Sequence, residues 1–473
     1  MRGTGNGAAM VALITSGALV SQALAILSMP VLSRVYTAEE IGYYSVFTAA
    51  VGLFAPTASL HYELAIPLPK STRSAVLLMI ASLATVAFIA CTLWLLAFGY
   101  SLVGEQAGWF ELPPIWALIP AVIALTGVSN IALFYAIRNQ RHRANAAAKT
   151  VQGVSQAATQ VGGAFAGLPW WGMVSGQVVG LCAGIVPLWD RATQWRQAFS
   201  GTGRLRMLAL MRRHKKLPLL AAPSSLVNAA ATNAPAMLIA AFHGAAAAGL
   251  YGLSVRILQL PSRFVGQSVA QVFLGRVSGA RREGRLAETV FALSRTLVIL
   301  SLHTFVPLAV FASSLFAVCF GPSWAESGLY SRALTPWLLA GFISIPLSVL
   351  VTVLERQREE FVLQILYLAL IAAVLMVSAL GSDPLLGITL LGISGGVFLA
   401  VKIGWLLGLA GCDRAAFIRM LCKEVALVLL MYGPLIVLLS AVDSALLESA
   451  IGLTWMMAAH GFNWKVRRVY VVD

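Results

Sequence analysis

The sequence predicts an all-α polytopic membrane protein of roughly 12–14 transmembrane helices, and three observations carry that expectation. Hydrophobic residues make up 59% of the 473-residue chain and charged residues 11%, with a mean hydropathy of +0.84. Soluble domains carry about 25% charged residues. Apolar stretches near the roughly 20 residues that a helix needs to cross a bilayer recur from one end of the chain to the other. The 33 Lys and Arg residues gather in alternate connections between those stretches, as the positive-inside rule expects.

The spans read in order as follows. Residues 10–32 form an apolar run longer than the core of a signal peptide, with no A-x-A site after it, so it is expected to be retained. Span 41–66 opens on Gly42-Tyr43-Tyr44 and breaks at Pro56. Spans 74–98 and 115–137 flank residues 99–114, the longest outer connection, which holds two acids and no Lys or Arg. Span 146–167 carries glutamines at helical spacing, and 170–189 follows after a tight turn. The loop 190–216 carries eight Lys/Arg and closes a first group of six spans. Spans 218–241, 245–275, 290–317, 333–354, 361–380 and 385–410 form the second six. Spans 422–441 and 443–460 make a short hairpin interrupted by Asp443 and Glu448, either as two thin spans or as a re-entrant element. This order predicts an N-terminal bundle over 1–200, a C-terminal bundle over 201–411, and a hairpin with a basic tail over 412–473.

If residue 1 is cytoplasmic, only Arg34 and Arg332 fall in outer loops, while Arg256, Arg263, Arg295 and Lys402 fall inside spans. Every other Lys and Arg then lies on the inner side, and both termini are expected there. The net charge of +15 is spread over these inner loops. Topology and anionic headgroups therefore account for it, and nucleic acid is not expected as a partner. Of the five cysteines only Cys319 lies near the outer face, so no internal disulfide is expected. A faint internal repeat supports pseudo-symmetry of the two bundles. Pro30 and Pro56 flank Gly42-Tyr43-Tyr44, and Pro235 and Pro261 flank Gly249-Leu250-Tyr251.

Polar groups inside a bilayer are costly, so each is a site candidate. The richest set is Arg256, Gln259, Arg263, Gln267 and Gln271, whose steps of three and four would place them on one face of a single helix. Guanidinium groups match phosphate or carboxylate in bidentate fashion, which suits an anion-binding face. The alternative is pairing with a buried acid or snorkelling to the interface, and the spans offer almost no acid to pair with. Arg34 at an outer mouth and Asn228 on span 7 are further substrate-binding candidates. Glu63, an acid deep in a hydrophobic segment, and its neighbour His61 are ion-coupling candidates. A structural partnership with a basic residue is the competing role. Gln152, Gln156 and Gln160 form a stripe that interhelical hydrogen bonding explains without a ligand. Arg295 and Lys402 are expected to snorkel.

Several chemistries are excluded by missing signatures. No G-x-x-x-x-G-K-[ST], H-E-x-x-H or C-x-x-C occurs, so no nucleotide cofactor and no resident metal is expected.

Three stretches resemble a known family. PVLSRVYTAEEIGYYSVFTAAVGLFAPTASLHYELAIPLPK from Pro30 resembles the amino-terminal signature of bacterial polysaccharide flippases, the translocases of O-antigen and capsule repeat units. AGLYGLSVRILQLPSRFVGQSVAQVFLGRVSGARREGRL (248–286) and CFGPSWAESGLYSR (319–332) resemble that family's seventh-to-eighth-span region and a later outer loop. His61 departs from the pattern, which has arginine before Tyr-Glu. The family belongs to the multidrug/oligosaccharidyl-lipid/polysaccharide exporter superfamily. The resemblance implies two six-helix bundles around a central cavity open to one face at a time. It also implies movement of undecaprenyl-diphosphate-linked oligosaccharide from the inner to the outer leaflet of the bacterial cytoplasmic membrane, for lipopolysaccharide or related surface polymers. The expected partners are the lipid-linked oligosaccharide, membrane lipids, a polysaccharide polymerase and a chain-length regulator. A peptidoglycan-lipid flippase is the nearest alternative. A multidrug exporter fits less well, since spans 1 and 7 hold no acid, and a polymerase or ligase lacks its large basic outer loop.

Overall fold

A computed structural model describes residues 17–104, 117–188, 203–262, 267–439 and 444–465. Arg263, most of the 190–216 loop, Asp443 and the basic tail after Lys465 lie outside the described residues. Within them every regular element is a helix. In chain order these are α1 (Gly17–Val35), α2 (Ala38–Phe54), α3 (Thr72–Gly104), α4 (Ile119–Arg138), α5 (His142–Phe165), α6 (Trp171–Ile185), α7 (Gly203–Arg213), α8 (Ala222–Leu258), α9 (Gln267–Arg282), α10 (Leu286–Val310), α11 (Ala312–Phe320), α12 (Ala325–Leu347), α13 (Gln357–Ser378), α14 (Pro384–Leu409), α15 (Arg414–Leu439) and α16 (Ala445–Lys465). Ten helices among the described residues are long and apolar enough to cross a membrane.

That number is below the count of hydrophobic stretches for reasons visible in the chain. The second stretch is not one helix: α2 stops at Phe54, and Pro56 and the residues after it form short 3-10 turns over Ala55–Thr57 and Tyr62–Ala65. Helix α5 is too polar to count, because one face carries Asn145, Lys149, Gln152, Gln156 and Gln160. The seventh and eighth stretches are merged into Leu217–Leu258, although the helix bends sharply inside it at Gly244, where φ is 88° and ψ 168°. Only glycine adopts such a backbone without a steric penalty. The last hydrophobic stretches form two helices, α15 and α16, of which α15 is counted among the ten and α16 is not.

The chain divides into two compact units, Met1–Met237 and Leu238–Asp473. The division falls inside α8, later than the basic loop at 190–216, because the first half of α8 packs on N-terminal elements. Asn233 lies against Gly52 of α2, and Ser225 bonds to His61.

In the first unit, α5 and α6 are knitted by small residues. A Cβ on Gly176, Gly180 or Gly184 would stand 2.4–3.0 Å from the side chains of Gln160, Gln156 and Gln152, respectively. The glycines let the helix axes approach, and the glutamine stems fill the gap. Gln160, 2% exposed, donates from Nε2 to the Tyr44 hydroxyl of α2 and to the Met173 carbonyl, both at 3.0 Å. Helix α2 starts on a capping box, in which Thr37 Oγ1 accepts from the Glu40 N–H at 3.2 Å and Glu40 Oε2 accepts from the Thr37 N–H at 3.0 Å.

In the second unit, α14 presents Gly392, Gly395 and Gly396 to the backbone of Ala333, the ring of Trp337 and Pro336 on α12. Arg332 donates to the carbonyls of Ala309 and Val310 at 3.1 Å each, satisfying the open C-terminal end of α10. The C-terminal helices dock on α10 and α11. Gly452 of α16 sits against the Phe311 ring, Ser314 donates to Glu448, and His303, 1% exposed, lies 3.4 Å from the Tyr432 hydroxyl of α15.

Candidate functional site

Two polar constellations stand out, one in each unit. The first lies where the helix of the second hydrophobic stretch is interrupted. After Phe54 the chain turns through Leu60 and His61, both left-handed with φ of 52° and 61°. Non-glycine residues hold that conformation at a penalty of order 1 kcal/mol each, so surrounding contacts must fix it. Those contacts are polar. Thr85 Oγ1 on α3 donates to the Ser59 carbonyl at 3.2 Å. Ser59 Oγ donates to Glu63 Oε2, and His61 Nδ1 lies 3.3 Å from Glu63 Oε1. The other ring nitrogen of His61, Nε2, lies 2.7 Å from Ser225 Oγ on α8. Glu63 is 5% exposed. Arg138, the last residue of α4, grips the following loop through the carbonyls of Pro67, Pro69 and Lys70.

The two ion-coupling candidates, Glu63 and His61, are therefore in contact, and the basic partner of Glu63 is His61 itself. Sequence reasoning missed Ser225. A serine in an apolar helix carries little signal, and the 164 residues separating it from His61 hide the pairing.

The second constellation concerns the span-8 cation face. Arg256 lies on α8, half-buried, with no carboxylate within ion-pair distance among the described residues. The helix that carries it ends at Leu258, and Gln259 sits in the turn that follows. The interruption is brief: Leu260 and Pro261 are again helical, and Ser262 lies in a π-helical turn. Gln267 and Gln271 belong to the next helix, α9. Residues 263–266, which would join the two parts of this set, lie outside the described residues. Arg263 is among the residues not described.

The remaining candidates are peripheral within their units. Arg34 is exposed, and its Nη1 donates to the Pro30 carbonyl at 2.9 Å, while Asn228 is exposed on α8. Lys402 does not snorkel. It is half-buried and paired with Glu360 at 2.5 Å, with Gln364 Nε2 3.4 Å from the same carboxylate oxygen. Lys149 was counted with the basic loops by sequence, yet it is half-buried on α5, 3.3 Å from Gln152 Oε1. No group of three or more His, Cys, Asp or Glu side chains suited to a metal ion occurs among the described residues.

Similarity to known proteins follows the same lines. The family described as "Polysaccharide biosynthesis protein" matches residues 31–328. No curated protein matches the sequence. Among solved structures, the Lipid II flippase MurJ in an inward closed conformation superposes with a TM-score of 0.71 at 12% identity, over 96% of this chain and 99% of that one. An inward-facing multidrug resistance MATE family transporter of the MOP superfamily gives 0.63 at 14% identity, over 82% and 94%. A mutant of the Vibrio cholerae MATE transporter VcmN gives 0.50 at 16% identity, over 85% and 94%. Identities this low speak for the fold alone, and that fold is a multi-pass membrane transporter fold. The family match spans more than half of the chain, which belongs to the polysaccharide biosynthesis protein family.

Proposed function

We propose that the protein flips undecaprenyl-diphosphate-linked oligosaccharide repeat units from the inner to the outer leaflet of the bacterial cytoplasmic membrane by alternating access. The product feeds surface polysaccharide synthesis, O-antigen among the candidates. The observation that carries this reading is a conjunction: a polysaccharide-synthesis family match over 31–328 on the fold of a lipid flippase that aligns along 96% of the chain. The protein acts as a transporter, with no covalent chemistry of its own.

The site chemistry is consistent with such a substrate. A diphosphate needs cations inside the membrane, and Arg256 is a half-buried guanidinium that no carboxylate neutralises among the described residues. We place Arg256, Arg263, Gln259, Gln267 and Gln271 around the diphosphate and first sugar, with Arg34 and Asn228 along the path. Glu63 and His61 carry the coupling ion. Both termini lie in the cytoplasm, and the polymerase and chain-length regulator act on the product.

The fold match to a Lipid II flippase gives a second reading, transport of a peptidoglycan precursor, which also bears a diphosphate on a polyprenyl chain. Deletion in the native bacterium separates the two. Loss of surface polysaccharide with its repeat unit retained on the inner leaflet supports the first. Growth arrest with accumulated peptidoglycan precursor supports the second. Retained export with only shortened polymer would overturn both in favour of a polymerase.

A further inference from the structure

We infer that Ser225 is the output end of a proton-operated latch within the first unit, in which His61 ties the interrupted second stretch to α8. The inference rests on the flippase reading above and names the coupling ion as a proton. Three observations carry it. His61 is held in a left-handed backbone with φ of 61°, and that conformation aims its ring between Glu63 and α8. Its two nitrogens have different partners, the Glu63 carboxylate at 3.3 Å and the Ser225 hydroxyl at 2.7 Å. The far partner belongs to a helix preceded by a five-residue π-helical turn, Leu217–Ala221, containing Pro218. Such turns mark places where a helix tolerates rearrangement.

The chemistry favours a proton over a metal cation. Both oxygens of Glu63 already face hydrogen-bonding groups, the Ser59 hydroxyl and the imidazole, which leaves no ring of free oxygens for a metal. With one proton on the imidazole, Nδ1–H donates to Glu63 and Nε2 accepts from the Ser225 hydroxyl. A second proton, taken from water, adds to Nε2, which then donates to Ser225 Oγ. The couple goes from one net negative charge to none; the bond to Glu63, already charge-assisted, gains an ionised donor, and the bond to Ser225 becomes charge-assisted. Protonation therefore tightens the tie to α8, and deprotonation loosens it. The elements packed on this segment add few competing groups: Arg73, Cys91 and Tyr100 on α3, and Tyr135 and Arg138 on α4. The first half of α8, Ala222 to Met237, holds no titratable side chain, and beside the couple in its own segment lies only Tyr62.

The test is hydrogen exchange of the purified full-length protein in phosphatidylethanolamine/phosphatidylglycerol vesicles, read on the peptide covering residues 222–230 and corrected for intrinsic rates. Protection at pH 5.5 should exceed that at pH 7.5 by about tenfold, the worth of a charge-assisted over a neutral bond. Ser225→Ala should abolish the pH response at unchanged membrane abundance, and Ser225→Thr, which keeps the hydroxyl, should restore it. A pH-independent wild type, or a Ser225→Ala protein that responds like wild type, would overturn the latch. In the same vesicles, a pH gradient should accelerate transport of undecaprenyl-diphosphate-linked N-acetylglucosamine by wild type and Ser225→Thr but not by Ser225→Ala. Because exchange needs no substrate, failure of the lipid-flipping reading appears only in this second arm, as absence of transport by wild type.

Discussion

Lys402 Nζ lies 2.5 Å from Glu360 Oε1, both side chains largely buried, and the pair divides the cations of the second unit into two kinds. Lys402 has its counter-charge within the protein, whereas Arg256 has none within ion-pair distance among the described residues. A buried charge left without its partner destabilises a protein strongly, by about 3–5 kcal/mol. A half-buried cation with no such partner among the described residues is, on the proposed function, a candidate to meet an anionic ligand.

We expect the two cations to fail in different ways. Glu360→Gln should lower the amount of folded protein in the membrane, and adding Lys402→Met should restore it. Membrane abundance of the single and double variants measures this. Equal abundance of Glu360→Gln and wild type would show that the pair is dispensable.

Arg256→Ala should keep normal abundance and lose transport about ten- to hundred-fold, the effect of removing a charge-assisted hydrogen bond. Arg256→Lys should fall between, since it keeps the charge and loses the planar fork. Wild-type transport by Arg256→Ala at wild-type abundance would remove this side chain from the site.

Gly180→Leu should separate α5 from α6. A Cβ alone at Gly180 would approach the Gln156 side chain to 2.8 Å and the Gln152 carbonyl to 2.9 Å. Overpacking of this kind destabilises by about 1–3 kcal/mol or more. Gly162→Leu, whose Cβ would meet nothing within 4 Å, should be tolerated. Thermal stability in detergent compares the two.

Much of this was legible in the sequence, and the failures have physical causes. The positions of the apolar helices follow from composition, and Pro56 marked the break after α2. The glutamine stripe of α5 was visible as helical spacing, while its complement, Gly172, Gly176, Gly180 and Gly184 at four-residue intervals on α6, passed unread although the spacing is as regular. Lys402 was misjudged because its partner Glu360 is 42 residues away on another helix. The His61–Ser225 contact was hidden for the same reason, and its geometry depends on a left-handed turn that no residue type announces.

Membrane orientation is checked in a cysteine-free background. Impermeant thiol reagent added to intact cells should label Gln106→Cys and Ser382→Cys and spare Leu205→Cys, an exposed position at 70% accessibility on α7. Labelling of Leu205→Cys from outside would reverse the topology.

Transport itself is the most direct measurement. The purified protein is placed in phosphatidylethanolamine/phosphatidylglycerol vesicles containing undecaprenyl-diphosphate-linked N-acetylglucosamine, and an impermeant galactosyltransferase with its labelled donor is added outside. Wild-type protein should bring the inner-leaflet half of the lipid within reach of the enzyme, and Arg256→Glu at equal protein content should leave it inaccessible. Identical labelling of wild-type and protein-free vesicles would contradict lipid flipping by this chain.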